Sequence, residues 1–435
     1  MPAHHSIFLS LSIAILSGCA AGSGTSTLAQ TSPAQSATPT PRPSTQTATA
    51  VVTPIVAQPA DFASWRAGFR RQALAEGIRV DIFDTAFANV GINAQVLKLD
   101  AYQPEFSRPI WLYLDSAVSD TRIANGREAY ATKRALLDGI TARHGVDPQI
   151  VLAIWGLESA YGNNYGDIPV IESLATLAYH GRRRAFAEEQ LISALKILQN
   201  GDVTPSRMIG SWAGAMGHTQ FIPTSYEAYA VDYDGDGRRD IWAPDAADAL
   251  ASTANYLSRF GWRKGEPWGV EARLPSGFDY KLADQSIRRS AAAWRALGVT
   301  QPGGGALPDY GDASVIAPAG ARGPAFVVFH NFLVIKRYNN ATSYALAVGH
   351  LGDRIVGAGP FQDSWPRGDK PLSRGEKIEM QQRLTDLGYD TQGADGIIGP
   401  NSRKAIRSFQ SAQGMTPDGY ENAALLKALR AASRG

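Results

Sequence analysis

The sequence predicts a mainly α protein of the α+β class: a large helical body with a small β-containing subdomain, then a separate C-terminal unit of three helices. Three observations carry this expectation. Apolar residues recur at three- and four-residue spacing from residue 61 to about residue 257, as in Trp65, Phe69, Ala73 and in Ile82, Phe83, Ala86, Phe87. Between about 267 and 332 that spacing gives way to Gly/Pro punctuation and short β-prone runs such as Phe326-Val327-Val328-Phe329. A second helical pattern, with its own turn-rich loop, fills the last stretch from residue 373. The length agrees, since 435 residues at roughly 100 to 200 per domain make two to four domains.

Composition excludes several functions. Forty-two Lys+Arg against 40 Asp+Glu leave a formal charge of +2, with the two signs interspersed, so no basic field marks a nucleic-acid binder. The one cysteine, Cys19, permits neither an intramolecular disulfide nor a cysteine zinc site.

Taken in order, residues 1–18 read as a signal peptide. The apolar run at 7–16 has the length of an h-region and is too short to span a bilayer. It ends in Leu16-Ser17-Gly18-Cys19, which resembles the lipobox of bacterial lipoproteins and implies an acylated Cys19 at the new N-terminus. Residues 19–60 are dominated by Ala, Ser, Thr, Gln, Pro and Gly, with Arg42 the only charge, and read as a disordered tether. Ala20 is not the Asp that, by the same resemblance, retains lipoproteins at the inner membrane, so the implied location is the periplasmic face of the outer membrane.

The body is expected over 61–356. Helical spacing returns at 344–355, and the Gly/Pro/Asp-rich stretch 357–372 reads as a linker. The unit 373–435 pairs Ile378, Met380, Gln381, Leu384, Leu387 with Ser402, Ala405, Ile406, Phe409, Gln410 around the loop 388–400, and a short third helix closes its core. Its LGY, DGIIG, SRKAIRSFQ and DG elements resemble the small peptidoglycan-binding module of cell-wall enzymes.

The chemistry is expected in mid-body. The apolar run 151–157 delivers Glu158-Ser159 at the end of a buried helix, and desolvation there raises a carboxyl pKa, which a general acid requires. The Gly/Asn-rich loop Tyr161-Gly162-Asn163-Asn164-Tyr165-Gly166 follows, with aromatics suited to sugar faces. Farther on comes GSWAGAMGHTQFIPTSY at 210–226.

Together the GLES and YG elements at 156–162 and this second segment resemble the lytic murein transglycosylase B family. Gln103-Pro104-Glu105-Phe106, LATLAYHGRRR at 174–184 and RYNNATSYALAVGHL at 337–351 extend the resemblance over most of 61–360. It implies a lysozyme-like catalytic domain that cleaves the bond between N-acetylmuramic acid and N-acetylglucosamine without water, leaving 1,6-anhydro ends. Glu158 would serve as both acid and base, where ordinary glycosidases use two carboxyls. The resemblance also implies substrate-binding roles for Ser211, Gln220, Asn339 and Tyr344, to which the aromatic Tyr161 of the loop after Glu158 is added as a sugar-binding candidate. Glycan strands are the implied partner, outer-membrane lipid holds the acylated cysteine, and other cell-wall enzymes are further partners. The competing readings are a non-catalytic peptidoglycan-binding scaffold lipoprotein and a hydrolytic muramidase.

Asp232, Asp234 and Asp236 stand at positions one, three and five of a calcium-type loop, with Gly237 following and the backbone carbonyl of Arg238 at position seven. Position twelve is Ala243, not the bidentate glutamate of an EF-hand. By the family resemblance a later aspartate takes that place: the ADALAS context makes Asp248 the match, with Asp245 the alternative. The expected cofactor is a structural calcium ion. The seven histidines show no HExxH spacing, which disfavours a zinc hydrolase, and no organic cofactor is expected.

Overall fold

The computed structural model describes residues 61–101 and 109–433. Cys19, the signal and tether segments and the 103–106 motif lie outside the described residues.

One helix organises the body. Pro148–Ser159 opens with proline in its first turn and is buried on nearly every side, as a helix apolar all round must be. Around it pack Asp120–Thr132, Arg134–His144, Ala247–Arg259 and Thr342–Ile355, while Val170–His180 and Arg184–Asn200 form a second pair beside it. A single apolar cluster runs through all of them, from Trp65 to Ile355.

The β-containing insert is a three-stranded antiparallel sheet. Ala325–Val328 is central, flanked by Gly269–Ala272 and Ser314–Ile316, with Val327 paired to Val270 and to Val315. Its alternating side chains build two cores at once. Phe326 and Val328 join the helical body, whereas Val327, Val315 and Ala272 join a smaller cluster around Trp294. A two-residue ladder, Ile168–Pro169 with Ile209–Gly210, ties the segment after Glu158 to the start of the GSWAGAMG segment.

The C-terminal unit has its own core of Met380, Leu384, Ile406, Phe409, Leu425 and Leu429, on helices Arg374–Asp386, Pro400–Ala412 and Ala423–Ala432. A capping box, Ser373 with Glu376, starts the first of these helices. Buried Gln381 secures the DGIIG loop. Its amide nitrogen donates to Asp395, to the Ile397 carbonyl and to Ser402, and its oxygen accepts from the Gly396 N–H.

Segment 357–372, expected as a linker, lies along the body. Phe361 stacks on His350 at 3.8 Å between ring centroids, and the Gln362 and Asp363 amides both donate to Glu271 at 2.7 Å. Among the described residues no helix is long and apolar enough to cross a membrane.

Candidate active site

Glu158 sits one residue before the C-terminus of the buried helix, on the wall of a cleft of about 660 Å³. The chain beyond it turns sharply. Ala160 and Tyr161 take φ values of 50° and 60°, left-handed backbone that residues with a Cβ seldom adopt. Ser159 holds the turn: its hydroxyl donates to the His218 carbonyl at 2.6 Å and accepts from the Gly162 N–H at 3.0 Å. Strain of this kind persists only where its surroundings enforce it, and here it fixes the carboxyl-bearing end of the helix.

The carboxyl is partly buried among phenols. Tyr344 donates to Glu158 Oε1 at 2.6 Å, and the Glu158 charge also reaches Tyr113 and Tyr338. Burial pushes the Glu158 pKa up to about 7 from an ordinary 4.5, and the Tyr344 hydrogen bond pulls it partly back. Among the described residues no second carboxylate contributes to that shift. Glu158 can therefore carry a proton near neutral pH, and burial, with no like-charge neighbour, is the cause.

Gln220 and Asn339 line the same cleft with Trp212, Tyr338, Arg182 and Arg183. Gln220, at φ 56°, donates its amide protons to the carbonyls of Tyr165 and Gly217, fixing the side chain against the loop after Glu158. The Asn339 side-chain oxygen accepts from the Ala341 N–H. Ser211 is placed otherwise. Its oxygen accepts from the Ala213 and Ala215 amides, so it clamps the turn that presents Trp212 to the cleft.

Tyr161 is not brought into the cleft. Its hydroxyl donates to the Arg122 carbonyl at 2.9 Å, and its ring wedges between two helices at Gly126 and Gly156, where any Cβ would collide with it. The left-handed backbone at Ala160 and Tyr161 rotates the ring under the helix, which reading the loop as a sugar platform does not anticipate.

Several contributors emerge only from the tertiary structure. Arg122, half-buried, donates to the carbonyls of Gly156 and Ser116 and so joins the Glu158 helix to helix Ile110–Ala117, which carries Tyr113. His218, inside the GSWAGAMGHTQF segment, accepts from Trp155 Nε1 at Nδ1 and donates from Nε2 to the Ala243 carbonyl. A carbonyl can only accept, which fixes that tautomer, and burial pushes the His218 pKa down so that the ring stays neutral. The only sequence signal for His218 was its place within the motif.

The acidic loop lies behind the cleft. Carboxylate oxygens of Asp232, Asp234 and Asp236 come within 4.8 Å of one another, a set that hard cations favour. Asp248 stands outside that group. It is buried, and its two oxygens accept from the Tyr233 and Asp240 amides, each at 2.8 Å, so it ties the two ends of the loop together. Asp245 accepts from the Ala247 amide at the start of the next helix. From Arg239 the loop continues to the cleft: Tyr226 donates to the Arg239 carbonyl, on a helix whose Thr224 and Ser225 line the cleft.

Comparison with known proteins matches residues 61–353 to the transglycosylase SLT domain and residues 373–429 to a putative peptidoglycan-binding domain. The membrane-bound lytic murein transglycosylase B of Escherichia coli K12 is 35% identical over 254 residues, 57% of this chain and 67% of the relative. Pseudomonas aeruginosa SltB3, solved with NAG-anhNAM-pentapeptide, superposes with a TM-score of 0.83 at 53% identity, over 86% of this chain and all of that one. Escherichia coli Slt35, solved with calcium, gives a TM-score of 0.57 at 29% identity, over 67% of this chain and 92% of that one.

Proposed function

The chain belongs to the transglycosylase SLT domain family, and from that premise we propose that Glu158 is both acid and base in a non-hydrolytic cleavage of peptidoglycan. The protein is a lytic transglycosylase acting on peptidoglycan: its relative at 35% identity is a lytic murein transglycosylase, and the neighbour at 53% was solved with NAG-anhNAM-pentapeptide. The observation that carries the assignment is the carboxyl at about 7, raised by burial alone and held by Tyr344.

Protonated Glu158 donates to the glycosidic oxygen between N-acetylmuramic acid and N-acetylglucosamine as that bond breaks. Tyr344 then stabilises the carboxylate through its O–H. The carboxylate takes the proton of the muramic 6-hydroxyl while that oxygen bonds to C1, closing a 1,6-anhydro ring. The donated proton leaves on the N-acetylglucosamine hydroxyl, Glu158 is reprotonated by the 6-hydroxyl, and no water enters the balance. A hydrolase working by the usual route uses two carboxyls flanking the bond, whereas the route proposed here uses Glu158 alone. Gln220 and Asn339, which line the cleft with Glu158, are the polar groups suited to orient the acetamido sugar. Ser211 supports this wall through its turn.

The Asp232, Asp234 and Asp236 carboxylates, with the Arg238 carbonyl, would hold calcium, and Slt35 was solved with that ion. Bound there, calcium would neutralise three clustered acids and stiffen the loop; the acid and base steps proposed for Glu158 need no metal. Residues 1–18 as signal, acylated Cys19, the tether 19–60 and a wall-binding unit from 373 would hold the enzyme on the outer membrane within reach of the glycan. Treating sacculi with the full chain and with Glu158→Gln tests the assignment. Release of soluble fragments by the wild type and not by the variant is expected, and equal release would overturn it.

A further inference from the structure

Helix Ile110–Ala117 has only eight residues, too few to hold a helix in water alone, so its neighbours set its position. Trp111 and Asp115 lie one turn apart on one face. Tyr113, two residues from each, projects about 200° away. That side meets the site: the helix packs against Thr342–Ile355, which carries Tyr344, Tyr113 packs against the core of the body, and the charge of Glu158 reaches Tyr113. The cleft-side attachment is Arg122, which grips the Ser116 carbonyl and the Gly156 carbonyl together.

The opposite face is covered by the strap 357–372. Trp365 packs against Trp111 at 6.4 Å between ring centroids and against Phe326 at 6.3 Å. Arg367 makes a two-pronged ion pair with Asp115 at 2.6 and 2.8 Å. The strap is fastened on both sides of these contacts. Upstream, Glu271 holds two of its amides and Arg273 pairs with Asp363. Downstream, Asp369 pairs with Arg322, whose neighbour Ala321 donates its N–H to Asp418 of the C-terminal unit.

We propose that Trp365 and Arg367 are positioning residues, through which the strap presses helix Ile110–Ala117 against the cleft and holds Tyr113 beside Glu158. The proposal rests on the assignment of Glu158 as acid and base. Trp365 supplies the force, because the Arg367–Asp115 pair is more than 45% exposed on both sides and an exposed pair is weak; the pair supplies register. The segment between the two modules is thereby part of the catalytic apparatus rather than a spacer.

The test uses the full chain and a soluble, uncrosslinked glycan-peptide oligomer, on which wall anchoring has no influence. Trp365→Ala is expected to lower kcat about tenfold with KM within about twofold, less than the ~10²-fold that a 1 Å displacement can cost. A loosened wall admits water to Glu158, reduces the burial that raises its pKa, and moves the alkaline limb of the kcat profile to lower pH. Arg367→Asp and Asp115→Arg should each lower kcat, and the double reversal should restore it to within twofold of wild type. Wild-type kcat and pH profile in Trp365→Ala would overturn the proposal. So would a loss matched by the folded fraction with the limb unmoved, or a double reversal that recovers nothing. If Trp365→Ala does not fold, the reversal series decides. A wild-type chain that yields no anhydro product would refute the assignment of Glu158 instead.

Discussion

Replacing Glu158 by Gln should abolish activity and, above neutral pH, stabilise the protein. The carboxyl titrates near 7 in the fold and near 4.5 in the unfolded chain. Below pH 4.5 it is protonated in both states and costs nothing. Between 4.5 and 7 the unfolded chain loses its proton while the fold retains it, so stability falls as pH rises, and above 7 the full cost of the buried charge is present. At 1.36 kcal/mol per unit the difference is about 3 kcal/mol. Gln keeps the acceptor for the Tyr344 hydroxyl at nearly the same volume and carries no charge. The variant should therefore match wild type in Tm at pH 4 and exceed it by several degrees at pH 8. Differential scanning calorimetry of both proteins at the two pH values checks this. Asp353, whose pKa burial lifts to about 6, titrates in the same window but is present in both proteins and cancels. A Tm difference that does not change with pH would refute burial as the cause of the raised pKa.

Other consequences follow from neighbouring contacts. Tyr344→Phe removes the hydrogen bond that favours ionised Glu158, so the alkaline limb of the kcat profile should move to higher pH as kcat falls about tenfold; an unmoved limb would deny the contact its electrostatic role. Asp248→Ala strands the Tyr233 and Asp240 amides and should cost about 3 kcal/mol in urea unfolding with calcium chelated, whereas a loss seen only with calcium present would make Asp248 a ligand instead. Calcium at about 100 times its Kd should add about 2.7 kcal/mol of stability, and the Asp232→Ala, Asp236→Ala double variant should lose that gain.

How much of this could be read in the sequence depended on whether the signal was local. Glu158 was legible because an unbroken apolar run before a carboxylate implies burial, and burial sets the pKa. The helical body, the sheet between 269 and 328 and the three C-terminal helices were legible from a change of period. Tyr113 and Arg122 were not, since neither lies in a motif and each gains its role from elements distant in sequence. Tyr161 was misplaced because composition describes what a loop contains and not its backbone angles, and positive φ at two successive residues turned the ring away from the cleft. The strap was read as a linker from its Gly, Pro and Asp content. Its two aromatics, Phe361 and Trp365, were the overlooked signal, since exposed spacers have no need of them and here both pack against the body.

The central claim is that one carboxyl gives its proton to the glycosidic oxygen and recovers one from the substrate's own 6-hydroxyl, so that no water is consumed. Digestion of purified peptidoglycan in heavy-oxygen water, with mass spectrometry of the products, tests it directly. Anhydro-muramic ends one water lighter than reducing ends, with no heavy oxygen incorporated, are expected. Reducing ends labelled at C1 would contradict it and make the protein a hydrolytic muramidase.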